Sequence, residues 1–395
     1  MQAARRKPPV DPLIQINDLK AGGLFRQLLE TESAQGRRVI LNGKSLLNFC
    51  SNDYLGLASN PQIIESFRLG AEKYGVGSGA SPLVCGRSSA HRGLEEAVAE
   101  LTQRDKVLIF SSGYLANLAI INTLAPGRSD QIFQDKLNHA SMIDGALLSR
   151  AKLFRYSHAS TESLRAALAG KPSGRKLVLT ESVFSMDGDI APLAEIASLS
   201  ARKKVCLAVD DAHGFGVFGD TGAGMLEALD LDQEQVPIMM ATFGKAIGCA
   251  GAFVAGSKEL IELMVQKARP YIYSTALAPA LAVAATKALF LLSEEPWRRE
   301  HLRALITRFR TGAEQTGLVL MESSSPIQPL IAGSAARAQA MSKALYESGI
   351  FITAIRPPTV PINSSRLRIT ICASHTTEDV DLLLETLGAC GLNNN

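Results

Sequence analysis

Disulfide and metal-binding signatures are missing from this sequence of 395 residues. The cysteines are scattered, with no C-x-x-C pair and no His–Cys spacing typical of metal ligands; they occupy positions 50, 85, 206, 249, 372 and 390. We therefore expect reduced thiols in a cytoplasmic protein, and neither a disulfide framework nor a bound metal ion.

Membrane-spanning and strongly charged segments are missing as well. The basic N-terminus, MQAARRKPPVDP, is not followed by an apolar stretch, so a signal peptide is not expected. The most apolar windows are 276–292, interrupted by Pro279 and Lys287, and 237–256, which contains Lys245. Neither window is typical of a membrane span. The formal net charge of +3 is too small to indicate a nucleic-acid partner.

The composition that remains is that of an ordinary globular protein. Apolar residues make up 46% of the chain and charged residues 20%. The length allows two domains or one large domain, each with a sizeable core.

The middle of the chain alternates short β-type runs with longer helical ones. Several of the runs are continuously apolar, which is typical of parallel strands covered on both faces. The predicted strands are 106–110, 130–134, 152–156, 176–181, 205–210, 237–243 and 251–256. Because helical patterns such as 189–204 lie between them, we predict an α/β fold with a mainly parallel seven-stranded sheet.

The pattern changes at about residue 290. A helical segment at 297–310, WRREHLRALITRFR, has one apolar face and many arginines, which could dock an anionic acyl carrier or simply form a solvated surface. Short β-type runs and a further helix follow, at 328–331, 350–355, 366–371 and 377–387. We predict three parts: an N-terminal segment (1–45), a large α/β domain (46–289) and a smaller C-terminal α+β domain (290–395).

Polar side chains follow five of the predicted strands, at the edge where open α/β sheets bind their ligands. In chain order these are Gly113 and Tyr114 in SSGY, His139 in DKLNHAS, Ser185 in SVFSMDGD, Asp210 and His213 in DDAHGFG, and Lys245 with Thr242 before it. SSGY begins a predicted helix, whose free N–H groups favour phosphate. The glycine-flanked Lys245 is a lysine whose pKa would fall on burial.

These five strand ends offer what a pyridoxal phosphate enzyme needs. The lysine forms a Schiff base with the cofactor, a carboxylate keeps the pyridine nitrogen protonated, and donors hold the phosphate and the ring oxygen.

Each feature taken alone has another interpretation. Asp210 could be a helix cap or, with His213, part of a metal site, and His139 could be a core histidine. The segment GVGSGA at 75–80 formally fits a dinucleotide fingerprint, but a helical pattern precedes it where that fingerprint needs a strand. A non-catalytic protein with the same fold is disfavoured because the chain has all four of the residues Lys245, Asp210, His139 and His213.

Over nearly its whole length the chain resembles the α-oxoamine synthases, a branch of the fold-type I pyridoxal phosphate enzymes. The matching segments are NDYLGL (52–57), GSGASPLVCG (77–86), HRGLEEAVAE (91–100), SSGYLAN (111–117), NHASMIDG (138–145), ESVFSMDGDIAPL (181–193), VDDAHGFGVFG (209–219) and TFGKAIGCAGAF (242–253). The resemblance implies a fold-type I transferase fold, pyridoxal phosphate as cofactor, and decarboxylative acyl transfer to an amino acid.

The resemblance also implies a role for individual residues. Lys245 would be the Schiff-base lysine and general base, Asp210 would pair with the pyridine nitrogen, His213 would pair with the ring oxygen, and His139 would stack on the cofactor and contact substrate. Gly113, Tyr114, Ser185 and Thr242 would help to hold the cofactor, and Arg26, Asn52, Thr359 and Arg368 would contact substrate. Ser274 and Thr275 would reach the cofactor phosphate of a neighbouring subunit, which implies a homodimer with shared active sites.

The C-terminal segment 354–375, AIRPPTVPINSSRLRITICASH, is most similar to the branch that condenses L-alanine with a pimeloyl thioester in biotin synthesis. The thioester would be carried on coenzyme A or on an acyl carrier protein. Other branches, such as the one that joins glycine to acetyl-CoA, are the alternatives. The family usually has glycine where this chain has Asn363, and asparagine is the next most tolerant residue if the backbone there needs a positive φ.

Overall fold

Residues 11–170 and 174–389 are described by the structure, a computed structural model. The basic N-terminal residues 1–10 and Cys390 lie outside the described residues. The strands are β1 (Arg38–Leu41), β2 (Lys44–Asn48), β3 (Lys106–Phe110), β4 (Gln131–Asp135), β5 (Lys152–Tyr156), β6 (Lys176–Glu181), β7 (Cys206–Asp210), β8 (Ile238–Thr242), β9 (Ala252–Gly256), β10 (Ile327–Gly333), β11 (Ile350–Phe351), β12 (Ala354–Ile355) and β13 (Ser365–Thr370).

Helices connect and cover these strands. They are α1 (Pro12–Ala21), α2 (Pro61–Tyr74), α3 (Ser89–Thr102), α4 (Gly113–Leu124), α5 (Ala140–Ser149), α6 (Thr161–Leu168), α7 (Leu193–Lys203), α8 (Met225–Ala228), α9 (Lys258–Lys267), α10 (Arg269–Ile272), α11 (Pro279–Glu294), α12 (Trp297–Gln315), α13 (Ala335–Glu347) and α14 (Thr377–Ala389), with a π-helical turn at Pro82–Gly86. Among the described residues, no helix combines the length and the apolar character that crossing a bilayer requires.

The main sheet has seven strands in the order β3-β9-β8-β7-β6-β4-β5. Only β9 runs antiparallel to its neighbours, β3 and β8. The predicted α/β fold with a mainly parallel seven-stranded sheet is confirmed, and each predicted strand lies within one residue of the observed bounds.

The central strands of the sheet are buried on both faces, which explains their continuous apolar runs, whereas the edge strand β5 is largely exposed. Alternate residues of one strand enter different hydrophobic clusters: Val107 and Ile109 of β3 join one, and Leu108 and Phe110 join the other. The same alternation holds along β6, β7 and β8. Two layers of helices therefore hold the sheet rigid, and its strand ends can position functional side chains.

Two small sheets bring distant parts of the chain together. In one, β1 and β2 form an antiparallel hairpin whose second strand pairs in parallel with β11 near the C-terminus. In the other, β10, β13 and β12 pair antiparallel. The division of the chain into the segments 1–45, 46–289 and 290–395 stays a prediction.

The arginines of α12 contact the chain around them. Arg299 is buried and donates to the carbonyl oxygens of Leu292 and Asp220, and Arg308 forms two hydrogen bonds of 2.7 Å with Asp381. Arg310 donates to Gln328. These side chains hold α12 against its neighbours, so the interpretation of the segment as a simple solvated face is incomplete.

Candidate active site

The residues predicted at the strand ends lie together at the carboxyl edge of the main sheet. Gly113 begins α4 directly after β3, His139 precedes α5 after β4, and Asp210 ends β7. Because β4, β6, β7 and β8 are parallel neighbours, the segments that follow them converge on one side of the sheet.

Lys245 lies in the loop between β8 and β9, and its amine contacts an imidazole. Lys245 Nζ is 2.8 Å from His213 Nε2, and His213 Nδ1 is 2.6 Å from the hydroxyl oxygen of Tyr54. Burial lowers the pKa of Lys245 to about 8, although Asp210 and Glu181 oppose the shift. Burial and the charges of Lys245 and Arg368 hold the pKa of His213 well below its usual range, so that the imidazole is neutral.

Asp210 is a buried carboxylate held from two sides. Asn117 Nδ2 donates to Asp210 Oδ2 at 2.9 Å, and the backbone N–H of Ala212 donates to Oδ1 at 3.0 Å. The same Asn117 nitrogen donates to Ser141 Oγ at 2.9 Å, which joins α4 to the start of α5. We call Tyr54, Asp210, His213 and Lys245 the lysine pocket.

The neighbouring Asp211 has a different environment. Its carboxylate accepts hydrogen bonds from the Ser182 hydroxyl and, at 2.9 Å, from the backbone N–H of Met225. Gly214 and Gly224 pack so closely against it that an added Cβ would lie 2.0 and 1.9 Å from its oxygens. Burial raises the pKa of Asp211 to about 7, against the effect of the two hydrogen bonds. Asp211 therefore anchors the segment from Gly214 to Met225, and Asp210 is the carboxylate available to a ligand.

His139 lies at the N-terminus of α5 with its ring partly exposed. The ring Nδ1 is 2.8 Å from Ser141 Oγ, and the backbone N–H donates to Glu181 Oε1 at 2.5 Å. Burial and Lys245 lower the pKa of His139, so the ring is neutral at pH 7. Burial and Asp210 raise the pKa of Glu181 well above its ordinary value. An uncharged, exposed ring face fixed at one edge suits stacking on a planar ligand.

The start of α4 offers an anion site. Ser112 is the N-cap, and its hydroxyl accepts from the N–H of Leu115, while Gly113 and Tyr114 occupy the first turn. Gly113 packs near Met240 and Thr242 of β8. The Thr242 hydroxyl donates to the Gly251 carbonyl at 2.8 Å and accepts from the Gly244 N–H, so it supports the lysine loop. Tyr114 donates a hydrogen bond to the Asp144 carboxylate and lies edge-on to His139.

Arg368 lies in β13, where it connects the smaller sheet to the site. Its guanidinium donates to the Ser185 carbonyl at 2.6 Å, to Asn52 Oδ1 at 3.1 Å and to Thr370 Oγ1 at 3.0 Å. Only 7% of Arg368 is exposed, and Asn52 Oδ1 is also 3.2 Å from the Tyr54 hydroxyl. The predicted substrate residues Asn52 and Arg368 are therefore joined to the lysine pocket.

Two cavities meet at Thr359. One, of about 610 Å³, is lined by His139, Ser185 and Thr359 among others. The other, of about 620 Å³, is lined by Arg26 and Thr359, and Arg26 Nη2 donates to Thr359 Oγ1 at 3.3 Å. Arg26 and Thr359 thus contact each other although 333 residues separate them in the chain.

Ser274 and Thr275 are not bonded to the residues of the lysine pocket. Ser274 is half-buried and Thr275 is exposed, in the segment between α10 and α11. Within the described part of a single chain, no hydrogen bond joins them to the lysine pocket. Their predicted role in a neighbouring subunit stays a prediction.

A second polar cluster lies behind Ser185. His158 Nδ1 is 2.9 Å from Asp135 Oδ1, and His158 Nε2 is 2.8 Å from Asp189 Oδ2. We call these three residues the His158 clasp. Burial opposes the charged form of the ring, but the hydrogen bonds to both carboxylates outweigh it and raise the pKa of His158 to about 10. In the described ranges, the one trio with metal-ligand spacing is His158, Asp187 and Asp189, away from Asp210 and His213.

Sequence reasoning missed three residues that organise the site: Tyr54, Asn117 and Glu181. Asn117 follows Gly113 by four residues, so helical spacing places both on one face of α4, and that spacing was a usable signal. Glu181 and Asp210 are register partners on β6 and β7, which a predicted strand pairing could have indicated. The contact between Tyr54 and His213, across 159 residues, had no local signal.

The residues present fit pyridoxal phosphate. A lysine with a lowered pKa, a buried carboxylate with a fixed orientation, neutral imidazoles and a helix N-terminus surround one space at the strand ends. These groups match the aldehyde, the pyridine nitrogen, the aromatic ring and the phosphate.

Comparison with known proteins agrees with this chemistry. The family model for aminotransferase class I and II matches residues 44–387. An 8-amino-7-oxononanoate synthase from Pseudomonas entomophila (strain L48) is 52% identical over 380 residues, which are 96% of this chain and 97% of that protein.

Two solved structures are also similar. A serine palmitoyltransferase from S. paucimobilis with a bound PLP–myriocin aldimine superimposes with a TM-score of 0.91 and 30% identity, over 96% of each chain. An 8-amino-7-oxononanoate synthase from Francisella tularensis has a TM-score of 0.77 and 32% identity, and the match covers 88% of this chain and 98% of that one.

Proposed function

Because the chain belongs to the aminotransferase class I and II family and, within it, to the α-oxoamine synthases, we propose that it makes 8-amino-7-oxononanoate with pyridoxal phosphate as cofactor. L-Alanine and a pimeloyl thioester are the substrates, and carbon dioxide and the free thiol carrier are the other products. The observation that carries the proposal is the lysine pocket, in a chain 52% identical to a relative of that name over 96% of its length.

The cofactor would be held by residues that already have fixed positions. Asp210 would hold the pyridine nitrogen protonated, because Asn117 and the Ala212 N–H orient its carboxylate. His213 would donate to the ring oxygen, His139 would cover one face, and the first turn of α4 would bind the phosphate. Ser185, which lines the cavity beside His139, and Thr242, which supports the loop of Lys245, would also help to hold the cofactor. Bound pyridoxal phosphate supplies an electron-accepting ring that stabilises negative charge at the alanine Cα.

Lys245 is proposed as the base. With its pKa lowered to about 8, a substantial fraction of Lys245 Nζ is unprotonated near pH 7–8 and can take a proton from the alanine Cα. The deprotonated carbon attacks the thioester carbonyl, the thiolate leaves and takes a proton from solvent, and the alanine carboxylate departs as carbon dioxide. Lys245 can then return a proton to that carbon.

Arg368 is proposed to orient the alanine carboxylate. Its guanidinium is buried and is held by the Ser185 carbonyl and Asn52, so its position does not depend on substrate. A fixed cation beside the lysine pocket would place the Cα within reach of Lys245.

Arg26 and Thr359 are proposed to place the acyl donor. The two adjoining cavities, of about 610 and 620 Å³, give room for a long acyl chain on one side of Thr359 and its carrier on the other. Arg26, Lys343 and Arg356 line the second cavity and can attract an anionic carrier, either coenzyme A or an acyl carrier protein.

A homodimer with shared active sites is part of the proposal. Val76, Val84 and Tyr273 are 88%, 77% and 70% exposed, and α1 has no buried residue. Exposed apolar surface of this kind is typical of an interface. Tyr273 directly precedes Ser274 in the chain, and the turn of Val84 contacts α10, so this surface adjoins Ser274 and Thr275, which would then reach the partner's phosphate site. A cytoplasmic location is proposed from the free state of the described cysteines.

Steady-state kinetics test the function. We expect the purified protein with pyridoxal phosphate to release carbon dioxide and 8-amino-7-oxononanoate from L-alanine with pimeloyl-CoA or a pimeloyl-acyl carrier protein. Glycine with acetyl-CoA and serine with palmitoyl-CoA are the matched controls. A higher kcat/KM for either control pair would overturn the proposal.

A further inference from the structure

Tyr54 is a buried tyrosine whose hydroxyl lies in the second layer of the active site. Its side chain has 0% exposure and its ring packs in the larger hydrophobic cluster. The hydroxyl oxygen is 2.6 Å from His213 Nδ1 and 3.2 Å from Asn52 Oδ1. It lies on the opposite side of His213 from Lys245, so Tyr54 does not need to touch substrate to influence the site.

The hydroxyl has one proton and two neighbouring acceptors. An O–H donor prefers a partner at about 2.5–3.0 Å, and only His213 Nδ1 is within that range. Asn52 Oδ1 already accepts a hydrogen bond from Arg368. Burial raises the pKa of Tyr54 to about 12, so the hydroxyl keeps its proton at neutral pH. The proton is therefore directed at Nδ1 of His213.

The neutral imidazole of His213 can carry only one proton. If Nδ1 accepts from Tyr54, the proton must be on Nε2, which faces Lys245 Nζ at 2.8 Å. We propose that Tyr54 is a positioning residue that fixes the Nε2–H tautomer of His213 and so keeps an N–H donor aimed into the lysine pocket. This inference rests on the proposed roles of His213 and Lys245.

A fixed donor has a consequence for catalysis. An imidazole in the other tautomer would present a lone pair to the site, which would repel an anionic oxygen and compete for the proton on Lys245. With Tyr54 in place, the protein itself sets the donor orientation, and Lys245 Nζ can accept from Nε2–H in its unprotonated form, so the ring does not need to change tautomer during the reaction.

Nitrogen-15 NMR of the histidine-labelled holoenzyme tests the tautomer directly. His213→Gln identifies the His213 signals by their loss. We expect a neutral ring with the proton on Nε2 in the unsubstituted enzyme. A proton on Nδ1, or a cationic ring, would overturn the inference whether or not the enzyme turns over alanine, so the tautomer is decided separately from the proposed function.

Tyr54→Phe tests the consequence, with Tyr156→Phe as the matched control. Tyr156 is also buried, but it ends β5 at the far edge of the sheet. We expect Tyr54→Phe to lower kcat by about 10- to 100-fold, the range typical of metal-bound histidines that lose their outer hydrogen-bond partner, with KM for alanine nearly unchanged. In Tyr54→Phe the visible absorbance of the bound cofactor should change with pH at a higher midpoint. The variant lacks the fixed donor that stabilises the anionic ring oxygen. A variant that melts earlier but keeps kcat and midpoint would show a merely structural role.

Discussion

His213 and His158 each have both ring nitrogens within hydrogen-bond distance of a partner, yet one ring is neutral and the other is a cation. At His213 the partners are a phenol and an amine, and burial among cations keeps the ring neutral. At His158 the partners are two carboxylates, and the ring is a cation with a pKa of about 10. Burial disfavours the charged ring at both places, and only the two carboxylates beside His158 outweigh it.

The two regions also serve different purposes. In the lysine pocket the imidazole of His213 is neutral and the pKa of Lys245 is lowered to about 8, which suits acid–base chemistry near neutral pH. The His158 clasp uses full charges to join the end of β4 to the loop that carries Ser185. Changes in the first region should therefore act on turnover, and changes in the second on the free energy of unfolding.

The largest effect is expected for Lys245→Ala. Removing the amine should lower kcat by at least about 10²–10⁴-fold, the range for a lost general base, while the fold is retained. Turnover of alanine with a pimeloyl thioester and the melting temperature are the measurements. Lys258→Ala changes an exposed side chain of α9; it is the control and should leave turnover and melting temperature unchanged. Near-normal turnover by Lys245→Ala would contradict the assignment of the base.

Asp210→Asn and Asp211→Asn separate function from stability within one dipeptide. Loss of a charge-assisted hydrogen bond costs about 1.5–3 kcal/mol, so kcat of Asp210→Asn should fall at least about tenfold. Asp211→Asn should instead lower the free energy of unfolding by about 1–3 kcal/mol, since its carboxylate serves Ser182 and Met225. If kcat falls more in Asp211→Asn than in Asp210→Asn, the two roles are reversed.

His158→Gln should act on stability and depend on pH. The folded-state pKa of His158, about 10, is above the ordinary 6.5, so its stabilisation is complete below about pH 6.5 and is lost as pH rises through 10. We expect a loss of about 1–3 kcal/mol near pH 6 that shrinks towards pH 10. Denaturant unfolding at several pH values measures it. A loss that grows with pH would mean that His158 is neutral in the folded protein.

The smallest effect is expected at Asn363, which lies in neither region. Its φ of 63° is in the left-handed region, as the sequence comparison with a family glycine anticipates. Asn363→Gly should change the free energy of unfolding by less than about 0.5 kcal/mol, because relief of strain offsets the added freedom of the unfolded chain. Asn363→Val should cost about 1 kcal/mol or more. Equal losses of the free energy of unfolding in Asn363→Gly and Asn363→Val would show that backbone strain at this position does not explain the effect.

Local pattern predicted much of the fold because several strands of the main sheet are continuous apolar runs followed by polar turns. His139, Asp210, His213 and Lys245 were predictable for the same reason, since parallel neighbours bring their following segments to one edge. The pairing of β2 with β11 was not predictable. The two strands lie far apart in the sequence, and no local pattern identifies them as hydrogen-bonded partners. Tyr54 belongs to the motif NDYLGL, but its contact with His213 depends on how the loop after β2 packs.

The long sequence separation of the substrate residues sets an order of events during synthesis. Arg26 meets Thr359 across 333 residues and Asn52 meets Arg368 across 316. At about 5–20 residues per second, a ribosome takes roughly 15–70 s to translate such a stretch. Thr359 follows Lys245 by 114 residues, which takes roughly 6–23 s at that rate, so residues 113–245, which would hold the cofactor, are synthesised before Thr359 and Arg368 exist. A nascent chain can collect its cofactor groups early, but it has no place for alanine or the acyl donor until translation is nearly complete.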